Sequence, residues 1–297
     1  VPGLKGVCAA TRRDANGRMA VFDVASGKVV VPDSGLGRVS PLLPTGFVDV
    51  VGAGAAGRPE HLVRTDRNNL APRFGLAWRP LGPNTVFRAS YGIYYDTAPW
   101  QPNSAGAPFV LSEPNFTNPV NNPLVLPTVF PAAGTGGPSS FNLPNGIRPD
   151  LRIPYSQSYT FTMEHQRWDT GFRVSYTGMG SRQGIYRYDV NQPLVNDQLY
   201  VDKPRLFPRY PEILYTDNGA GHQYHAITGQ VERRMKGGLH FQLYYTLARD
   251  IGDLERGQAP EDSYDRTRER AAWERMPPRR LSGNFVYQLP FGKGRYW

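Results

Sequence analysis

The stretch from Asn68 to Asp96 constrains the fold more than any other. Phe87, Ala89, Tyr91, Ile93 and Tyr95 share one side-chain parity, and Val86, Arg88, Ser90, Gly92 and Tyr94 share the other. A helix repeats every ~3.6 residues, so a period of two with an aromatic-rich face opposite a mixed face specifies a β-strand. Leu81-Gly82-Pro83-Asn84 supplies the turn that folds this strand onto the residues before it. Two environments suit such a strand. In a soluble sandwich the apolar face is core; in a transmembrane barrel it meets lipid while the other face lines the lumen.

The pattern returns downstream. Tyr159, Phe161 and Met163 alternate with Ser158, Thr160, Thr162 and Glu164. After the turn Trp168-Asp169-Thr170-Gly171, Phe172, Val174 and Tyr176 alternate with Arg173, Ser175 and Thr177. Ile227, Gly229 and Val231 oppose Thr228, Gln230 and Glu232, and beyond Met235-Lys236-Gly237-Gly238 the run Leu239, Phe241, Leu243, Tyr245 and Leu247 opposes His240, Gln242, Tyr244 and Thr246. A last strand carries Leu281, Gly283, Phe285, Tyr287 and Leu289 against Ser282, Asn284, Val286 and Gln288. Seven strands are expected, near 72–80, 85–95, 155–167, 171–179, 223–234, 238–249 and 280–289.

The connections decide between the two environments. Turns of about four residues alternate with connections of roughly thirty to sixty. A Greek-key sandwich mixes its loop lengths, whereas an outer-membrane barrel keeps short periplasmic turns at one rim and long extracellular loops at the other. The strand lengths suit the ~9–11 residues that cross a bilayer at a tilt. Tyr91, Tyr94, Tyr95, Tyr155, Trp168, Tyr176 and Tyr245 fall at or near strand ends, where aromatic girdles sit. The predicted fold is all-β: an antiparallel transmembrane β-barrel segment, an open arc of a larger barrel, with long extracellular loops and short periplasmic turns. Bacterial single-chain barrels have even strand numbers, so further strands are expected on both sides of the seven.

Residues 1–67 are expected to be an extracellular loop region, and 68–297 a partial barrel. Within the first, Met19–Asp23 and Lys28–Val31 flank Ala25-Ser26-Gly27 as a small hairpin. Pro and Gly dominate from Pro32 to Pro59, a connection too long for a compact soluble domain unless it has a task of its own.

Composition agrees. The 32 Gly and 28 Pro favour turns and loops over helices. The net charge of +9 comes mostly from Arg scattered through turns and loops, without a basic helix. That distribution argues against nucleic acid and suggests lipopolysaccharide phosphates as the anionic neighbour, with outer-membrane lipid around the strands. Cys8 stands alone, so it forms no intramolecular disulfide and no Cys-based zinc site.

Catalytic signatures are missing. There is no Gly-x-Ser-x-Gly elbow, His-Glu-x-x-His helix or P-loop, so no enzyme, cofactor or metal is expected. Glu164 and His165 are adjacent on a strand and point to opposite faces. His222 and His225 are likewise on opposite faces. Asp250, Asp253, Glu255, Glu261, Asp262 and Asp265 are interleaved with Arg256, Arg266, Arg268 and Arg270, which reads as a mutually neutralised, solvated loop rather than a calcium site. Six polar side chains share the non-lipid parity and are the lumen-lining candidates: Arg88, Glu164, Arg173, Gln230, Glu232 and Gln242. A charge on the lipid face costs ~2–4 kcal/mol at the midplane, so their inward placement is expected on stability grounds alone. Arg233 breaks this parity but lies beside a turn, within reach of the interface.

Four motifs then carry a family resemblance. They are Arg67-Asn68-Asn69-Leu70-Ala71-Pro72-Arg73-Phe74-Gly75, Arg88-Ala89-Ser90-Tyr91-Gly92-Ile93-Tyr94-Tyr95-Asp96, Ile153-Pro154-Tyr155-Ser156-Gln157 and Gln288-Leu289-Pro290-Phe291-Gly292-Lys293-Gly294. In this order the chain resembles, over about 15–297, the barrel of TonB-dependent outer-membrane receptors of the Oar-like group. The resemblance implies a barrel of about twice this arc or more, an N-terminal plug, a TonB-contacting segment and often a carboxypeptidase-regulatory-like domain. It thus implies contact with the TonB complex through a plug expected to lie outside this sequence, and uptake of an unspecified extracellular ligand across the bacterial outer membrane. Met276-Pro277-Pro278-Arg279-Arg280 departs from the pattern, since family members commonly carry an Asp and a His-Arg pair there. The alternatives to uptake are a structural or adhesive surface barrel and, more remotely, a soluble sandwich that binds a ligand.

Overall fold

The computed structural model describes residues 18–41, 43, 45–96, 107–109, 143–254, 257–273 and 276–291. Cys8, Glu255, Arg256 and the motif residues Gly292, Lys293 and Gly294 lie outside them. The chain divides into two compact units: Val1–Arg67, Ala98–Leu151 and Tyr188–Asp217 form a loop unit, while Asn68–Thr97, Arg152–Arg187 and Asn218–Trp297 form a sheet unit. Two of the long connections join the N-terminal residues in the loop unit.

The strands, in chain order, are β1 (Val21–Asp23), β2 (Lys28–Val31), β3 (Val50–Gly52), β4 (Arg73–Trp78), β5 (Thr85–Tyr95), β6 (Gly146–Ile147), β7 (Tyr155–Arg167), β8 (Thr170–Asp189), β9 (Leu214–Lys236), β10 (Leu239–Gly252), β11 (Ala271–Ala272) and β12 (Arg279–Tyr287). All seven expected barrel strands are present as β4, β5, β7, β8, β9, β10 and β12, and each pairs with the next along the chain. This antiparallel meander is an outer-membrane barrel wall. The register keeps apolar parity continuous across it: Trp78 faces Phe87, Phe87 faces Met163, and Met163 faces Val174. On the far side Leu243 lies between Val231 and Gly283, and Phe241 faces Phe285. Phe87, Val231 and Phe241 are half-buried, while Trp78, Met163, Val174, Leu243 and Phe285 are open to the surroundings, Phe285 being 76% exposed. A row of exposed aromatic and aliphatic groups on one sheet face is a surface for lipid.

Turn chemistry sets the register of β7 on β8, and an irregularity between Leu239 and Phe241 then shifts that of β9 on β10 by one residue. Trp168 and Asp169 both have positive φ (49° and 60°), and so do Gly237 and Gly238 (61° and 80°), the conformation of two-residue hairpin turns that match the strand twist. The turns are therefore tighter than the four-residue segments expected, with Thr170 and Gly171 already in β8. At Gly178, Tyr159 lies directly across the ladder, and its ring fills the space a Cβ would take.

The structure lengthens two strands. β8 has 20 residues and β9 has 23, against the ~9–11 that cross a bilayer. Their outer halves run beyond the hydrocarbon, where neither face meets lipid and the alternation lapses. For that reason 180–221 reads as a loop in the sequence. Among the described residues β4 pairs with β5 alone and β12 with β10 alone. Hydrocarbon leaves no backbone group unpaired, so each of these edges needs a further strand in the membrane.

The loop unit has its own core. β1 and β2 form the expected hairpin, with Val21 opposite Val30. β3 adds parallel to β2, β6 adds parallel to β1, and the first residues of β9 add parallel to β6. Phe22, Val29 and Val31 pack with Phe109, Tyr210 and Ile213, so all three segments contribute to one cluster. Full burial of such side chains contributes ~1.5–3 kcal/mol each, enough to order connections that carry little periodicity.

Candidate functional site on the polar barrel face

The six lumen-lining candidates come from five strands, and the register brings them into one network. Arg88 on β5 and Arg173 on β8 flank Glu164 on β7, at Nε–Oε2 3.4 Å and Nη2–Oε1 2.8 Å respectively. The second amino group of Arg173 donates to Gln230 Oε1 at 3.4 Å. Gln230 Nε2 donates in turn to Glu232 Oε2 at 3.4 Å and to Tyr244 Oη at 3.3 Å. The Tyr244 hydroxyl reaches Gln242 Oε1 at 3.4 Å. Tyr244 was not among the candidates, although its parity on β10 was the signal that could have found it.

The network is wet: the Arg88 and Arg173 side chains are 53% and 50% exposed. Each ion pair is therefore worth ~0–1 kcal/mol, and the chain of contacts orients groups more than it stabilises the sheet. Around it, Thr162 and Ser175 hydroxyls meet at 3.0 Å and those of Thr228 and Thr246 at 3.0 Å. Toward the turns a hollow of about 280 Å³ is lined by Arg79, Arg88, Glu164, Arg173, Glu232 and Arg234. Four guanidinium groups against two carboxylates give this end of the face a cationic excess. Arg280, in the segment that departs from the receptor pattern, lies on β12 opposite Thr246 on this same face.

The remaining candidate chemistry is dispersed. Thr85 Oγ1 and His165 Nδ1 lie 2.9 Å apart, across the β5–β7 ladder. His222 stacks edge-on against Trp273 with ring centroids at 4.6 Å, and its ring covers Gly252 across the ladder. His225 lies on the other face, its Nδ1 2.8 Å from Tyr176 Oη. Three carboxylates of the acidic loop, Asp253, Asp262 and Asp265, are engaged by backbone N–H groups, a hydroxyl or arginines. Asp253 accepts from Gly221 N–H at 2.7 Å and pairs with Arg266 at 3.3 Å. Asp262 pairs with Arg268 at 3.8 Å. The hydroxyl and N–H of Thr267 hold the Asp265 carboxyl below its ordinary pKa. Among the described residues no three His, Cys, Asp or Glu side chains converge on a common point.

A seven-stranded antiparallel meander, apolar on one face and polar on the other, with tight turns at one end and long connections at the other, defines an outer-membrane β-barrel protein. The chain belongs to the outer membrane beta barrel domain family, whose model matches residues 9–297. It therefore resides in the bacterial outer membrane. Among solved structures it is similar to the outer membrane transporter YddB from Escherichia coli, at 12% identity and a TM-score of 0.44, over 75% of this chain and 27% of that one. The chain thus spans about a quarter of that transporter's length. No curated protein sequence matches it.

Proposed function

We propose that this chain forms part of the wall of a TonB-dependent transporter that admits an extracellular ligand to the periplasm. The observation that carries the reading is the loop unit. Its long connections build a common core from Phe22, Phe109 and Tyr210, as a receptor needs if it is to hold a ligand before passing it inward. The Oar-like motifs at 67–75, 88–96, 153–157 and 288–294 add the link to TonB. Energy then arrives from the TonB complex through a plug supplied outside this sequence. The network from Arg88 to Gln242 lines the path, the scattered arginines meet lipopolysaccharide phosphates, and neither catalysis nor nucleic acid enters the reading.

A second reading, display of an adhesive surface, is favoured by exposed Leu194, Val195, Leu199, Tyr200 and Leu206 in one loop segment. The two separate in cells. Uptake of labelled peptide, oligosaccharide and iron chelate is compared with and without the full-length protein, before and after collapse of the proton-motive force. The transport reading expects accumulation of one class that depends on both the protein and the force. Equal accumulation in both strains, with cell adhesion lost on deletion, contradicts it.

A further inference from the structure

The loop unit contains a hollow of about 280 Å³ whose walls include Lys28, Phe47, Asp49, Phe207, Arg209 and Tyr210. Its floor is aromatic and fixed. Phe207 and Tyr210 both pack edge-on against the buried Phe22, with ring centroids at 5.2 Å and 6.0 Å, and Phe47 packs edge-on against Tyr210 at 5.7 Å. Asn191, fully buried, donates to the carbonyls of Phe207 at 3.0 Å and Tyr210 at 2.5 Å and accepts from Phe207 N–H at 2.8 Å. The Tyr210 hydroxyl donates to the Phe47 carbonyl at 2.6 Å, and Arg209 donates to the Gly46 carbonyl at 2.6 Å. Both sides of the hollow are thus tied together before any ligand enters, which lowers the ordering cost of binding.

The rim carries both signs of charge. Lys28 and Asp49 each stand one residue before Val29 and Val50, which pair across the parallel β2–β3 ladder. The two side chains are therefore neighbours on adjacent strands, about 5 Å apart at the backbone. Yet among the described residues neither forms an ion pair or a side-chain hydrogen bond. An ammonium and a carboxylate that line one hollow without joining are open to a ligand bearing both charges.

We propose that this hollow is a binding site for a small zwitterion with an apolar side chain, an α-amino acid or short peptide with free termini. Its carboxylate meets Lys28 and Arg209, its ammonium meets Asp49, and its side chain rests on Phe47, Phe207 and Tyr210. The volume of about 280 Å³ lies just below the ~300–1,000 Å³ usual for ligand pockets, which suits one or two residues. As the identity of a transported ligand, the proposal rests on the uptake reading; as binding, it needs the folded loops alone.

The test is calorimetric titration of the detergent-purified full-length protein with the dipeptide alanyl-phenylalanine, its N-acetylated form, its C-terminal amide and an uncharged disaccharide. The free dipeptide is expected to saturate a single site, and each capped form to bind at least about tenfold more weakly through loss of one charge-assisted contact. Asp49→Asn is expected to weaken the free dipeptide about tenfold while leaving the N-acetylated form unchanged, and Lys28→Met with Arg209→Gln to do the same for the amide. Unchanged heat-modifiable mobility on electrophoresis verifies the fold of each variant. Equal binding of free and capped peptides, preference for the disaccharide, or no binding by the folded protein overturns the proposal. Binding without force-dependent uptake overturns the transport reading and leaves the site standing. Binding of the free dipeptide that Asp49→Asn does not weaken overturns the site and leaves transport standing.

Discussion

Arg58 shows how single groups hold the loop unit together. Its side chain is 6% exposed, and its guanidinium donates to Asp23 at 2.7 Å, to the Leu62 carbonyl at 3.3 Å and to the Ile147 carbonyl at 3.2 Å. Replacing it with Met leaves the Asp23 carboxylate with Ser26 as its donor but no counter-charge, and takes a donor from the Leu62 and Ile147 carbonyls. The expected loss is about 3 kcal/mol, at the lower end for a broken buried pair because Asp23 keeps some water. Urea-dependent protease cleavage of the extracellular loops measures it, and Arg58→Lys should recover part. The same pair sets a pH response. Burial by itself raises the Asp23 pKa, but hydrogen bonds from Ser26 and Arg58 and the Arg58 charge outweigh it and hold the carboxyl below its ordinary 3.8. A lowered folded pKa means that the unfolded chain takes up the proton first. Its contribution is therefore complete above 3.8 and is lost as pH falls through the folded value. The stability gap between the wild type and Asp23→Asn is expected to shrink from about pH 5 to about pH 2, followed by the same protease assay. None of this was legible in the sequence. Asp23 and Arg58 are 35 positions apart, in stretches without periodicity.

At the scale of the strand, parity carries the energetics. Leu243 faces outward between Val231 and Gly283, while Gln242 faces inward beside Glu232 and Asn284. Leu243→Arg is expected to cost ~2–4 kcal/mol in the membrane. Gln242→Arg, next to a carboxylate, should cost little. Outer-membrane yield and heat-modifiable mobility distinguish the two, and equal damage from both would contradict the assignment of faces. The seven barrel strands were legible because lipid on one side and water on the other impose a period of two on the residues themselves. That imprint ends at the membrane surface, so the outer halves of β8 and β9 escaped it. The length of the turn at Trp168-Asp169 was overestimated because its positive φ values fall on residues other than glycine, while the turn between β4 and β5, at 79–84, is longer than expected. The six polar candidates could be chosen by parity alone. Their connection through Tyr244 could not, since it depends on which strands are neighbours and in what register.

For the whole molecule, the long connections were visible only as Pro- and Gly-rich lengths, and their common core was not visible at all. Phe22, Phe109 and Tyr210 come from three segments separated by strands, and nothing local marks them as partners. The account therefore rests on two parts of different legibility: a barrel wall written in alternation, and a folded loop unit written in long-range packing. The central claim concerns the first, that one face of the meander meets lipid and the other a water-filled interior. Consecutive single-cysteine substitutions from Gln242 to Leu247 on β10, in a background with Cys8 replaced by Ser, test it in outer-membrane vesicles. Labelling with a membrane-impermeant maleimide and quenching of a fluorophore by bilayer spin labels are read at each position. The account predicts aqueous labelling at 242, 244 and 246 and lipid quenching at 243, 245 and 247. Equal aqueous labelling of both parities, or quenching at neither, would contradict it.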